Sequence, residues 1–213
     1  MSTDKDDLKK DEVETEERIL AAAIEEFTLK GYTATRMQSI ADRAKISKSA
    51  LHYYFRHKER LFRMVLDNTA GRTLKKMRLD MTGLGSFSEK LEYGFHYYYQ
   101  AINKNIKVVR FIFMELSRNP AMISQFLEES NVRNWIAELD GELDKEYRAG
   151  RIRQIGAEQL ILNIVSLCVF PHLSQGIACQ VMEMDIAAHT KMLQEREDSV
   201  LQFIKNALFI EEQ

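Results

Sequence analysis

The chain has 213 residues, a formal net charge of −2, nine glycines, two prolines and two cysteines. This composition excludes a disulfide-dense scaffold, and the length allows one large domain or a small domain joined to a larger one. Because Leu, Ala, Glu, Lys and Arg are plentiful and helix-breaking residues are few, we predict an all-α fold.

The apolar segments give no sign of export or of a membrane span. Residues 1–10 are charged and lack the apolar core of a signal peptide. The most apolar stretch, residues 160–169, is short and interrupted by Asn163, as expected of a buried helix. Cys168 and Cys179 have apolar neighbours and no metal-ligand spacing, which favours reduced thiols over a disulfide between them. We therefore expect a cytoplasmic protein without a metal or another cofactor.

Basic residues are concentrated between Lys30 and Arg63. This segment contains nine Lys or Arg residues and only two acids, Asp42 and Glu59. Residues 183–213 carry seven acids and three bases. The asymmetry predicts a basic, DNA-facing module on a more acidic body.

The first predicted elements are an arm and a helix. Residues 1–12 alternate Asp and Lys with almost nothing apolar, so we expect a disordered arm. Thr15 is the expected N-cap of a first helix, whose apolar face includes Ile19 and Phe27 and which ends at Gly31.

Two short amphipathic helices follow. Thr35 is the expected N-cap of a helix from Arg36 to Ala44. Ser47 is the expected N-cap of a helix from Lys48 to Phe55. Two short helices joined by a brief turn in a basic region are typical of a helix-turn-helix, in which the second helix reads the major groove. We therefore expect residues 13–57 to form a DNA-binding helix-turn-helix domain, with Leu51 and Phe55 facing inward.

The remaining residues, 58–213, are predicted to form a helical bundle for ligand binding and dimerisation. Ser86 and Glu89 are spaced as a capping box after two glycines, Asn119-Pro120 ends a later helix, and Pro171 kinks another. Helices are expected at residues 58–77, from Ser86 to about 102, from 106 to 118, at 122–149, 157–175 and 189–209, with a loop at 176–188.

Aromatic and sulfur-containing residues of the bundle are candidates for lining an effector pocket. At helical spacing such residues more often form ordinary core, which is the alternative. His96 and His172 are lone histidines without metal-ligand spacing, so core or surface positions are favoured over a metal site. The pocket candidates are Tyr97, Phe113, Met114, Met122, Phe126, Trp135 and His172.

The last two helices carry more apolar residues than one chain of this size needs. We expect the segments from Ala157 to Gln175 and from His189 to Phe209 to form a four-helix interface in a homodimer. The alternative is packing within one chain. The residues expected at the interface are Leu160, Ile161, Ile164, Val165, Cys168, Leu193, Val200, Phe203, Ile204 and Leu208.

An ordered set of residues between Thr15 and Leu66 has a recognisable pattern. It consists of Ile19-Leu20-Ala21-Ala22-Ala23, Phe27, Gly31-Tyr32-Thr33, Thr35, Ile40-Ala41, Ser47 to Phe55 and Lys58 to Phe62. This pattern resembles the TetR family of transcription repressors. The resemblance implies an all-helical dimer with three N-terminal helices on DNA and a C-terminal bundle that pairs subunits and usually binds an inducer.

By position, the resemblance also implies which residues contact DNA. It assigns Thr35, Tyr54 and Lys58 to phosphates, Gln38, Lys48, Ser49 and His52 to the groove, and Tyr53 to the DNA backbone or a supporting role. Gln pairs well with adenine and Lys donates to guanine, which agrees with the groove assignments. Arg36 and Ser47 complete the predicted DNA-binding set.

The chain departs from the family pattern at two positions. The family usually has Gly where this chain has Lys45, and a left-handed backbone there costs a non-glycine residue on the order of 1 kcal/mol. The family commonly has Tyr where this chain has His52, at a position that typically touches DNA.

Together these patterns predict a ligand-responsive transcription regulator, a repressor, that binds a pseudo-palindromic operator as a dimer and responds to a small-molecule effector. A helical adaptor that binds only protein is the alternative, since it would explain the bundle but not the N-terminal pattern. An enzyme is less favoured, because the chain has no Gly-rich phosphate loop, no Gly-x-Ser-x-Gly elbow and no His-Glu-x-x-His.

Overall fold

The regular secondary structure is helical throughout the described part of the chain. The computed structural model describes the backbone of residues 3–210 and the side chains of residues 11–124 and 126–210. One isolated antiparallel bridge joins Ile152 to Phe209. The predicted all-α fold is therefore confirmed.

Most of residues 3–210 lie in α-helices that are joined by short turns. A π-helical turn at Asp67–Gly71 connects α4 to α5, and a 3-10 turn at Pro120–Ile123 precedes α8. The helices are α1 (Thr3–Ala34), α2 (Met37–Arg43), α3 (Lys48–Tyr54), α4 (Lys58–Leu66), α5 (Arg72–Met81), α6 (Phe87–Lys104), α7 (Ile106–Arg118), α8 (Ser124–Glu129), α9 (Val132–Arg148), α10 (Ala157–Leu173), α11 (Gln175–Val181) and α12 (Ile186–Leu208).

The helices form two compact units. The first unit comprises the described residues up to Arg72 together with Phe111–Phe126. The second comprises Thr73–Arg110 together with the described residues from Leu127 onward. The first unit is therefore discontinuous in sequence, and the predicted domain boundary between residues 57 and 58 falls inside it.

The first helix is longer than predicted. α1 begins at Thr3, so the prediction of a disordered arm was wrong for residues 3–12, and Thr15 lies within the helix rather than at its N-cap. Residues 1 and 2 lie outside the described residues. This segment extends a helix that is anchored by a buried face, and adding residues to an existing helix is less costly than starting one. The predicted end at Gly31 is confirmed, because its φ of 77° and ψ of 165° interrupt the helix.

Aromatic rings hold the core of the first unit together. The ring of Phe27 stacks on that of Phe111 with 5.6 Å between centroids and meets Phe62 edge-on at 6.0 Å. Such pairs contribute about 0.5–1.5 kcal/mol each beyond the area they bury. The predicted inward residues of α3, Leu51 and Phe55, are buried as expected.

In the second unit, the predicted capping box is confirmed and one predicted helix is divided. The Ser86 hydroxyl accepts from the Glu89 amide, and the Glu89 carboxylate accepts from the Ser86 amide. The single helix expected over residues 122–149 is wrong, because Asn131 adopts a left-handed conformation (φ 54°, ψ 21°) between α8 and α9. Asn tolerates this conformation better than most residues, and apolar periodicity does not reveal such a break.

The C-terminal helices also differ from the prediction. α10 contains Pro171, as expected, and ends at Leu173. A loop was predicted over residues 176–188, but residues 175–181 form α11, so the prediction was wrong there. Gly176 suggested a loop, yet a glycine only weakens a helix by about 1 kcal/mol and does not forbid it. α12 begins after Asp185, whose carboxylate accepts from the Ala188 amide at 2.7 Å.

α10 and α11 meet at an angle of 74°. Among residues 3–210, no single helix is both long enough and apolar enough to cross a membrane. Only α10 and α11, counted together as one bent pair, meet both requirements.

Candidate nucleic-acid interface and ligand cavity

The third helix exposes one polar face and buries the other. Lys48, Ser49, His52 and Tyr53 are exposed, whereas Leu51 is fully buried. Because successive helical residues are about 100° apart, the four exposed side chains share one face of α3. A recognition helix requires such a face, with its other side fixed to the core.

A serine fixes the N-terminal end of α3. The Ser47 hydroxyl oxygen accepts from the backbone amide of Ala50 at 3.0 Å, which confirms the predicted cap. It also lies 3.0 Å from the hydroxyl oxygen of Ser49. Both exposed hydroxyls are thus held at the start of the helix, where side chains reach a groove first.

The turn between α2 and α3 contains the expected left-handed residue. Lys45 has a φ of 56°. The amide of Ile46 donates to the Ala41 carbonyl at 3.1 Å and closes the turn. Lysine therefore adopts the conformation that glycine would take, at a cost on the order of 1 kcal/mol.

The other predicted groove and backbone residues flank α3. Arg36 and Gln38 are exposed at the start of α2, and the Gln38 amide nitrogen donates to Asp42 at 2.7 Å. Tyr53 is 77% exposed, and its ring meets that of the half-buried Tyr54 edge-on at 5.4 Å. The two tyrosines brace each other at the C-terminal end of α3.

Apart from Lys58, the cations of the basic segment fall into two groups. Lys30 and Arg43 form ion pairs with carboxylates of α1. Six others form no ion pair with any residue whose side chain is described, which leaves their charge available to attract a polyanion. These six are Arg36, Lys45, Lys48, Arg56, Arg60 and Arg63.

Thr35 does not occupy the predicted position. The prediction that it caps α2 was wrong, because Arg36 is the N-cap residue. The side chain of Thr35 is buried, with 2% of the residue exposed, which leaves little of it for the predicted phosphate contact. Its hydroxyl donates to the carbonyls of Gly31 at 2.7 Å and Glu26 at 3.1 Å. Thr35 thus closes the end of α1 after the break at Gly31, a tertiary role that a cap-like sequence does not reveal.

Lys58 is also directed inward, toward the end of α1. Its ammonium group donates to the carbonyls of Tyr32 at 2.7 Å, Thr35 at 2.9 Å and Thr33 at 3.3 Å. It also lies 4.5 Å from the centroid of the Tyr32 ring. These contacts use the donors of Lys58 within the chain and leave fewer of them for the predicted phosphate contact. A cation suits these carbonyls because they lie at the C-terminal end of α1.

Sequence reasoning missed a buried carboxylate, Glu26, that ties α2 to α1. Glu26 accepts from Lys30 at 2.6 Å and from the guanidinium Nε of Arg43 at 2.8 Å. Burial alone would raise its pKa, but the hydrogen bonds from Lys30 and Arg43 outweigh burial and lower the pKa of Glu26 to about 2. The carboxylate therefore stays charged and fixes the base of the helix-turn-helix.

A second buried carboxylate, Glu115 of α7, was missed as well. It accepts from the backbone amide of Tyr32 at 3.1 Å, the first amide after the break at Gly31. A side chain at Gly31 would begin 3.1 Å from the same carboxylate oxygen. Eighty-three positions separate Tyr32 and Glu115, so no local pattern could indicate their contact.

The second unit contains an apolar cavity of about 120 Å³. Two charged residues in its wall, Lys90 and Glu142, form an ion pair at 2.6 Å. The lining residues are Leu74, Met77, Met81, Phe87, Lys90, Leu91, Gly94, Phe95, Tyr98, Trp135, Leu139, Glu142, Leu160, Ile161, Ile164 and Val165.

Of the pocket residues predicted from the sequence, Trp135 lines this cavity. Tyr97 instead stacks on Tyr93 at 5.9 Å, and Met114 is 49% exposed. His172 is buried elsewhere in the second unit, and burial lowers the pKa of its imidazole. These residues do not line this cavity, because helical spacing shows which face is apolar, not which faces enclose a space. The same holds for Phe113, Met122 and Phe126, which belong to the first unit.

Large apolar side chains are exposed along α10, α11 and α12. Phe203 is the exposed member of the predicted interface set, at 64%. The other members of the set pack within the chain, which was the alternative to a dimer interface. Those buried are Leu160, Cys168, Leu193, Val200, Ile204 and Leu208. Those that line the cavity include Ile161, Ile164 and Val165. The side chains that remain exposed are Leu162, Phe170, Leu173, Ile177, Val181, Met182, Ile186 and Phe203.

Both cysteines are free. Burial raises the pKa of the Cys168 thiol to about 12, so this thiol stays protonated. Within residues 11–210, no three His, Cys, Asp or Glu side chains are grouped in a way that could hold a metal ion.

The sequence has recognisable relatives. Residues 19–65 match the profile of bacterial regulatory proteins of the tetR family. The chain is 24% identical to the HTH-type transcriptional repressor NicS of Pseudomonas putida over 182 residues. This match covers 81% of this chain and 82% of NicS. It is 39% identical over 75 residues to the HTH-type transcriptional regulator RutR of Escherichia coli, which covers 33% of this chain and 35% of RutR.

Solved structures share the fold at low sequence identity. A TetR family transcription regulator from Marinobacter aquaeolei matches with a TM-score of 0.69 and 15% identity, over 95% of this chain and 100% of that one. The transcriptional regulator FadR from Bacillus subtilis, solved with stearoyl-CoA, matches with a TM-score of 0.66 and 19% identity, over 88% and 96% of the two chains. These matches extend the likeness beyond the N-terminal segment to the whole helical fold.

Proposed function

We propose that this chain is a DNA-binding transcription regulator of the TetR family, whose profile residues 19–65 match, and that its α3 enters the major groove of an operator. The exposed face of α3, fixed from behind by Leu51 and Phe55, is the observation that supports this function most directly. A protein adaptor has no need of this face or of the unpaired cations around it.

Within the proposed interface the side chains have different roles. Lys48, Ser49, His52 and Gln38 face the base edges, where lysine donates to guanine and glutamine pairs with adenine. The remaining members, Arg36, Ser47, Tyr53 and Tyr54, lie against the sugar-phosphate backbone and set the register. The DNA-contacting set thus excludes Thr35 and Lys58.

We infer that two chains pair through the exposed apolar side chains of α10, α11 and α12. A symmetric pair presents two α3 helices to successive major grooves on one side of the duplex, so the operator is a pseudo-palindrome. Exposed rings such as Phe170 and Phe203, at 65% and 64%, are costly in water and suit the centre of a dimer interface.

The proposed regulator is a repressor that acts in the cytoplasm and performs no catalysis. Its effector is a small molecule held by the cavity of the second unit, whose wall is almost wholly apolar. Binding of the effector changes the affinity for the operator by stabilising one arrangement of the dimer over another.

The decisive experiment selects DNA from a randomised duplex library with the full-length protein and then measures affinity for the selected site against salt. Lys48→Ala is expected to weaken binding about 5- to 100-fold and to relax the base preference at one position of each half-site. Lys104→Ala, an exposed lysine at the end of α6, is the matched control and should bind as the wild type does. Selection of no sequence, or equal binding by both variants, would refute the proposal.

A further inference from the structure

The charge in the cavity wall is internally neutralised. The ammonium group of Lys90 donates to the carboxylate of Glu142 at 2.6 Å, and both side chains are largely shielded, with 26% and 32% exposed. The other lining residues carry no ionisable cation or carboxylate. An ionic ligand would therefore have to compete with an existing pair for its counter-charge while losing its own hydration.

Two neutral polar groups in the same wall lack partners. The hydroxyl of Tyr98 and the indole N–H of Trp135 make no hydrogen bond with any residue whose side chain is described. The indole can only donate, and the phenol can donate as well as accept. Both residues line the cavity, and a polar group of a lining residue that is left without a partner can orient a ligand.

From these observations we propose that the effector is an uncharged, predominantly apolar molecule that carries a hydrogen-bond acceptor, such as a ketone, ester or lactone oxygen. The hydroxyl of Tyr98 donates to this acceptor, and the Lys90–Glu142 pair remains closed. The assignment rests on the proposed function, because it gives the chemical class of the effector that the regulator senses.

The wall can also adapt to the size of the apolar part. A side chain at Gly94 of α6 would begin 3.2 Å from the sulfur of Met81 and 3.9 Å from that of Met77. Glycine thus allows two thioether side chains to lie close to the helix backbone. Because methionine has three flexible bonds, these two side chains can move as ligands of different length enter.

The test uses three eight-carbon probes that differ in charge: 2-octanone, octanoate and octylammonium. Trp135 is the only tryptophan of the chain and lines the cavity, so its fluorescence reports binding to the full-length protein without DNA. We expect 2-octanone to bind at least about 10-fold more tightly than either ion, because burying an unpaired charge costs more than burying a carbonyl that gains a donor.

Variants of the wall separate the contributions. Tyr98→Phe should weaken 2-octanone about 3- to 10-fold, the loss of one hydrogen bond, whereas Tyr147→Phe, a partly exposed tyrosine of α9, should not. Glu142→Gln frees Lys90 and should improve octanoate about 10-fold. Lys90→Met frees Glu142 and should improve octylammonium in the same way.

The result that overturns the proposal is a wild-type preference for octanoate that Lys90→Met abolishes, since the effector would then be an acid that opens the pair. Absence of binding by 2-octanone below about 1 mM, or an unchanged affinity in both Tyr98→Phe and the control, overturns it too. Operator affinity without any probe is measured separately, so failure of this assignment is distinguishable from failure of the DNA-binding function.

Discussion

The ammonium group of Lys58 lies 2.7 Å from the carbonyl oxygen of Tyr32. Lys58 is the first residue of α4, and Tyr32 follows the glycine that interrupts α1. Burial lowers the pKa of Lys58, while Glu115 opposes this effect. The side chain thus joins α4 to the end of α1 and holds the segment that leads into the helix-turn-helix.

We expect Lys58→Met to lower the free energy of unfolding by about 1–3 kcal/mol, because hydrogen bonds from a charged group to three carbonyls are lost. Denaturant titration measures this loss. The slope of operator affinity against salt should remain that of the wild type, since Lys58 does not reach a phosphate. Arg56→Met, which removes an exposed and unpaired cation next to α3, should show the opposite pattern, with little change in stability and a shallower slope. A shallower slope for Lys58→Met would instead show that Lys58 contacts a phosphate.

The left-handed backbone at Lys45 predicts opposite changes in stability for two substitutions. Lys45→Gly should stabilise the protein by up to about 1 kcal/mol, because relief of the left-handed conformation exceeds the extra freedom of glycine in the unfolded chain. Lys45→Val should destabilise it by about 1 kcal/mol or more, because a β-branched residue tolerates positive φ poorly. Thermal unfolding of the two variants checks the order, and a valine variant as stable as the wild type would contradict it.

Acid should unfold the first unit partly through Glu26. Its pKa is lowered from 4.5 to about 2 in the folded chain, so between these values the unfolded chain binds more protons than the folded one. The stabilisation from Glu26 is therefore present above about pH 4.5 and is lost as the pH falls toward 2.

Glu26→Gln isolates this effect. At pH 7 the variant should lose about 1–3 kcal/mol of stability, the range for hydrogen bonds to charged groups. Its deficit should shrink on acidification, as urea titrations at pH 7, 4 and 2.5 would detect. Glu25→Gln, which removes the exposed partner of Arg43, should cost under about 1 kcal/mol. A deficit in Glu26→Gln that stays constant with pH would show that the carboxylate is not ionised preferentially in the folded state.

The exposed phenylalanine rings of α10 and α12 predict a dimer interface, and a charged side chain in place of either ring should weaken the dimer. Phe170→Glu and Phe203→Glu should each raise the dimer dissociation constant about 30-fold or more, because a carboxylate would be buried without a partner. Sedimentation analysis over a concentration series measures the constant. Leu79→Glu, at a residue of α5 with 69% exposure, is the matched control and should leave the dimer intact. Dimers of unchanged stability in both phenylalanine variants would place the interface elsewhere.

What the sequence revealed reliably were features set within a few residues. The Ser47 cap and the inward Leu51 and Phe55 follow from local spacing, and the left-handed Lys45 was implied by the resemblance to a family that usually has glycine there. The structure confirms all of them. These features place the recognition helix and most of its candidate DNA contacts.

Features that depend on distant parts of the chain were not accessible in this way. Thr35 and Lys58 match residues that contact DNA in the family, yet here they bind carbonyls at the end of α1. The cavity brings together α5, α6, α9 and α10, and only Trp135 among the predicted pocket residues faces it. Apolar periodicity fixes which face of a helix is buried but leaves open which faces meet.

The discontinuity of the first unit affects how the protein is made. Phe27 stacks on Phe111, and Tyr32 is held by Glu115, so the core of the DNA-binding module includes residues translated long after its own helices. A nascent chain that stops at Arg72 lacks these partners and exposes the ring of Phe27. The ribosome therefore has to extend the chain past Glu115 before these two contacts can form, so this core closes only after more than half of the protein has been made.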